Sequence, residues 1–106
     1  MTSEDFAVSV ERLLKQVGHW EQSRWSATVQ APATHSRAEV VHGLAQQLAD
    51  LAADAEGNPR RPVPRVGDLT LPDQVKVTAD DLFLAGVSDD AFKLATDKVN
   101  AVRRAL

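Results

Sequence analysis

The sequence predicts a mainly α-helical protein, a compact bundle of four principal helices. Apolar residues recur at spacings of three and four in four separate stretches, each bounded by residues that start or stop helices. Strand-like alternation is confined to two short stretches. The chain has 106 residues and no cysteine. That length suits one domain spanning residues 1–106, with a core that must form without disulfides.

The first helix is expected over residues 4–17. Phe6, Val10, Leu13, Leu14 and Val17 line one stripe. Thr2 or Ser3 is positioned to cap its start, Glu4 and Asp5 suit the positive end of the dipole, and Gly18 stops it.

Residues 19–35 admit two readings. Trp25, Ala27, Val29 and Ala31 alternate with Ser26, Thr28 and Gln30, as in a half-buried strand. Equally, Trp25 and Val29 are spaced for a short helix that ends before Pro32. A strand here has partners only around Leu69–Leu71 and Val75–Val77, short segments interrupted by Pro72. Irregular or short helical structure is the favoured reading. The runner-up fold is α+β, with a small sheet drawn from residues 24–30 and 68–78.

The next helix, 37–56, carries the strongest signals. Ser36-Arg37-Ala38-Glu39 is a capping box. Val40, Val41, Leu44, Leu48, Leu51, Ala52 and Ala55 follow on one face, and Gly57 sits where a left-handed C-terminal cap belongs, with Pro59 just beyond. Alanines 38, 45, 49 and 53 flank the stripe and permit close approach of a neighbouring helix.

Residues 58–68 form a Pro/Arg-rich connector. Pro59, Pro62 and Pro64 impose extended, polyproline-like backbone, a semi-rigid link between two helical halves. A helix over 72–85 then starts at Leu71-Pro72-Asp73, and its Val75, Ala79, Leu82 and Phe83 make one stripe that ends at Gly86. Alternatively, Val75 and Val77 form a short strand and Thr78 caps a shorter helix. Ser88 caps the last helix, 89–105, with Asp89 and Asp90 in its first turn. Its seam of Phe92, Ala95, Val99, Val102 and Leu106 covers too few heptads for a coiled coil.

Composition narrows the function classes. The formal charge is −3, with eight Arg against four Lys, so no overall attraction draws the chain to nucleic acid or anionic membrane. The acidic N-terminus lacks the pattern of a secretory signal, and no window approaches the ~20 apolar residues of a membrane span. A soluble cytoplasmic protein with no membrane association is expected.

Catalytic, metal and cofactor sites are not expected. His35 and His42 lie too far apart on a helix to share an ion. Glu39 and His42 have the Glu-x-x-His spacing of di-metal bundles, but the pair occurs once and falls opposite the Val40/Leu44/Leu48 stripe, facing water. Thr34-His35-Ser36 is not a nucleophile motif, and no glycine-rich phosphate loop is present. Asp80-Asp81 and Asp89-Asp90 fall near helix starts, where dipole effects account for them.

The favoured function is a non-enzymatic interaction module for a protein partner or a second copy. Apolar groups on more than one side of a helix support it, namely Val8 beside Phe6 and Val10, Leu84 beside Leu82 and Phe83, and Leu94 off the final seam. The alternative is a weak nucleic-acid binder. Its contacts would come from Arg60, Arg61 and Arg65 on the connector, with Trp20, Arg24 and Trp25 supplying stacking surface and a cation.

Overall fold

Local sequence signals set where the helices begin and end. The computed structural model describes residues 2–29 and 34–106. Among them are five α-helices and no strand: α1 (Thr2–Val17), α2 (Gln22–Ser26), α3 (Arg37–Glu56), α4 (Leu71–Leu84) and α5 (Asp89–Ala105). A 3-10 turn, Asp68–Thr70, precedes α4. The capping box forms as expected. Ser36 Oγ accepts from the Glu39 N–H at 3.1 Å, and Glu39 Oε1 accepts from the Ser36 N–H at 3.1 Å. At the other end Gly57 adopts φ 70°, and the Asn58 and Gly57 N–H groups donate to Ala53 and Asp54 carbonyls. Ser88 caps α5 by accepting from the Ala91 N–H.

Several expectations change. Thr2 and Ser3 lie inside α1 rather than capping it. Val75, Val77 and Thr78 belong to one continuous α4, so neither the short strand nor a Thr78 cap exists. Thr78 is buried, and its hydroxyl donates back to the Gln74 and Val75 carbonyls, which satisfies it within its own helix. Trp25 and Val29 do not share a helix, since α2 ends at Ser26. Beyond it Thr28 makes an isolated antiparallel bridge to Ser36, not to residues 68–78. Gln30, Ala31 and Pro32 lie outside the described residues.

α3 packs most extensively on α4 and α1 on α5, while α1 also meets α4 and α3 also meets α5, so the four long helices close a ring. Its centre holds Phe6, Leu13, Leu44, Leu48, Val75, Leu82 and Val99, all essentially inaccessible to solvent. Burying each such side chain is worth about 1.5–3 kcal/mol. The buried face of α3 is rotated from the expected stripe. Ala38, Val41, Leu44, Ala45, Leu48 and Ala52 lie innermost, while Val40 and Leu51 are half-buried and Ala55 is exposed. Small side chains let the neighbouring helices approach on the alanine side. In the final seam Phe92, Ala95 and Val99 are buried, and Val102 and Leu106 pack against the core of the same chain.

Candidate functional site

The connector is built into the fold as a strap along α3. Its carbonyls and its few N–H groups cannot join a sheet, because three of its residues are proline. Side chains from the flanking helices satisfy them instead. Gln46 Nε2 donates to the Arg61 carbonyl at 3.0 Å, and Gln46 Oε1 accepts from the Val63 N–H at 2.7 Å. His42 Nε2 lies 2.8 Å from the Val63 carbonyl, an acceptor, so this nitrogen carries the proton. From the other side Gln74 Nε2 donates to the Pro64 carbonyl at 2.7 Å.

The register follows from geometry. Arg61 meets Gln46, Val63 meets His42, and the Arg65 guanidinium reaches the Ala38 carbonyl. Each pair of strap residues therefore matches four residues of α3. Two residues of polyproline-like chain advance about 6 Å, and four residues of helix rise about 6 Å. The chain thus returns to the start of α3, and α4 begins there and runs alongside α3 in the same direction. Helices joined by a short loop must be antiparallel neighbours. This strap permits parallel ones.

Between strap and α4 lies an apolar groove of about 480 Å³. Pro62, Val63, Pro64 and Val66 form one wall, and Gln74 and Val77 lie on the other. Val66 is 61% exposed and Val77 58%, the kind of uncovered apolar surface that the core residues lack. The groove continues toward the end of α3 through Ala49, Arg61 and Asp81, which also line a second recess reaching Glu56. The groove is lined by Asp73 and Asp81, with Arg61 its one cation among the described residues, and Glu56 lines the adjoining recess.

The residues singled out from the sequence are placed differently from one another. Trp20 and Trp25 are 9% and 1% exposed, with ring centres 5.0 Å apart in an edge-on arrangement. Both rings lie in the core. Arg24 and Arg37 set their guanidinium carbons 5.7 and 5.2 Å from the Trp20 ring centre, a cation–π arrangement internal to the chain. α2 packs on α3 and on the 3-10 turn, so this segment closes one end of the bundle.

Two of the connector arginines are paired within the chain. Arg60 forms a two-pronged bond to Asp54 at 3.0 and 2.7 Å, with Asp50 at 3.9 Å. That hydrogen bond and the charge beside it hold the Asp54 carboxyl below its ordinary range and raise the Arg60 guanidinium. Arg65 binds Asp68 at 3.1 Å, and Asp68 accepts from Gln22 of α2 at 2.7 Å, which links the connector to the α2 segment. Arg61 lines the groove.

His42, expected to face water, is half-buried beneath the strap. The helical angle sets it opposite the expected stripe, but the buried face is rotated toward it and the strap returns over that side. Sequence reasoning does not find Gln46, Gln74 or the groove residues Val66 and Val77. The spacing of His42 and Gln46, one turn apart beside a proline-rich segment of matching length, is the signal that points to them. His35 Nδ1 lies 3.6 Å from Glu39 Oε2 at the exposed start of α3. Among the described residues no three His, Asp or Glu side chains come together as a metal site would require, and no helix is long and apolar enough to cross a membrane.

Comparison of the chain with protein families, with curated proteins and with solved structures finds no match.

Proposed function

We propose that the chain is a cytoplasmic, non-enzymatic protein-interaction module, with the groove between strap and α4 as its docking surface. The occupant is a short amphipathic helix of another protein, presenting apolar side chains to the groove and Lys or Arg to its rim. One observation carries this reading: Val66 and Val77, more than half exposed, form apolar walls that are held rigid on both sides. A rigid receptor spends little conformational entropy on binding, so more of the contact energy appears as affinity.

The partner's character follows from the lining. Asp73 and Asp81 in the groove, with Glu56 in the adjoining recess, outnumber Arg61 among the described residues and favour a basic segment. Between Asp73 and Asp81 the groove follows just over two turns of α4, about 12 Å. That length matches the i, i+3 or i+4, i+7 anchors of a helix laid in a groove. The scarcity of convergent polar groups argues against a small polar substrate.

Selection of displayed random 16-residue peptides against the folded protein tests the proposal. The expected consensus has two or three apolar residues at helical spacing with flanking Lys or Arg, and binding should fall at least tenfold in Val77→Asp. Winning peptides that bind Val77→Asp equally well, or no enrichment at all, would overturn it. Light scattering after size exclusion distinguishes the remaining occupant, a second copy. A dimer broken by Val77→Asp would replace the foreign partner with this chain itself.

A further inference from the structure

We infer that the chain carries a second binding site, for the phosphate group of a small phosphate monoester, where α1 and α5 lie side by side. Arg12 of α1 and Asn100, Arg103 and Arg104 of α5 line a surface recess of about 310 Å³. The two helices run in the same direction, as Phe6 stacks near Phe92 with ring centres 5.8 Å apart and Arg12 lies level with Asn100. Three arginines from two elements therefore line one recess.

The other arginines of the chain show what is unusual here. Arg60 and Arg65 are in ion pairs, Arg24 and Arg37 lie over Trp20, and Arg61, also without an ion pair among the described residues, stands alone in the strap groove. Among the described residues none of Arg12, Arg103 and Arg104 forms an ion pair, in a chain with three more acids than bases. The negative end of the α5 dipole accounts for cations at 103 and 104, but it does not call for a third from α1. Planar guanidinium forks match phosphate oxygens two at a time, and the Asn100 amide adds a neutral donor.

The surroundings restrict the size of the ligand. The adjoining recess shares Arg12 and Asn100 but is lined by Asp5 and Asp97 as well, with Lys93 as its other cation. Those carboxylates repel an extended polyanion that continues past the arginines. A compact dianion fits where a nucleic-acid strand does not.

The test uses glycerol phosphate titrated into the 15N-labelled full chain at constant ionic strength, read at the arginine Nε–H signals. Saturable shifts are expected at Arg103 and Arg12, with binding weakened at least fivefold in Arg12→Gln and in Arg104→Gln. Both positions are exposed, so thermal melts should confirm that each variant stays folded. A monoester loses its second proton near pH 6, so affinity should be about tenfold greater at pH 7 than at pH 5. Shifts that do not saturate, that sodium chloride reproduces, or that survive Arg12→Gln would overturn the inference. So would a single-stranded oligonucleotide or heparin that binds the same arginines more tightly, because that outcome marks a polyanion face.

Discussion

Replacing Gln46 by Ala removes the clamp on the strap. The side chain makes three hydrogen bonds: to the Arg61 carbonyl at 3.0 Å, from the Val63 N–H at 2.7 Å and to Asp50 at 2.9 Å. The Arg61 carbonyl sits on an exposed residue, where water can replace the amide. Val63 is half-buried and packs against the core, so its N–H recovers less. At a net value of about 1 kcal/mol for each hydrogen bond, the two strap contacts together contribute about 1.5–2 kcal/mol. For a domain of this size that corresponds to a fall in melting temperature of about 6–8 °C. Gln47→Ala supplies the control, because Gln47 is the exposed neighbour on the same helix and its truncation should stay within about 0.5 kcal/mol. Urea denaturation measures the difference, and amide hydrogen exchange at Val63 locates it. Equal midpoints for the two variants, with Val63 as protected as in the parent, would refute the view that side chains hold the strap.

Other residues make separate predictions. His42→Ala should cost about 1 kcal/mol in the same urea experiment through loss of its bond to Val63, whereas His35→Ala should be close to neutral. Ser36→Ala should cost about 1 kcal/mol, read as a lower denaturation midpoint. The hydrogen bond from the Ser36 backbone, followed by that from its side chain, lowers the Glu39 pKa. A carboxyl lowered on folding stabilises above its unfolded pKa and loses that contribution as pH falls through the folded value. Stability should therefore decline through this acid range, and the decline should be shallower in Glu39→Gln. Trp25→Ala should cost about 3–5 kcal/mol, and the parent's tryptophan emission should be blue-shifted and resistant to iodide quenching, given the burial of both rings.

Much of the helical architecture is legible in the amino-acid sequence, for a local reason. A capping box, a left-handed glycine and a three-and-four periodicity act within a few residues, so α3 begins at Arg37 and ends at Glu56 as expected, and α5 runs from Asp89 to Ala105. Trp20 and Trp25 both lie in the core, as the largest side chains of a chain with few aromatics. The two-strand alternative around residues 24–30 and 74–78 is not resolvable locally, since alternation over so few residues fits either period. Packing decides it. Val75, Ala79 and Leu82 find the core only as one face of α4.

The sequence by itself determined α3 and α5 with their caps, the extended character of the proline segment and the set of side chains available for a core. Tertiary structure alone decided where that extended segment lies. Nothing within Asn58–Asp68 specifies that Gln46 and His42 will satisfy its backbone from one side and Gln74 from the other. Those partners are 10 to 21 residues away in sequence. Hydrogen bonds at that range arise only after α3 and α4 have packed. The candidate groove exists for the same reason, because it is the space left between a strap that cannot join a sheet and a helix that could not come closer.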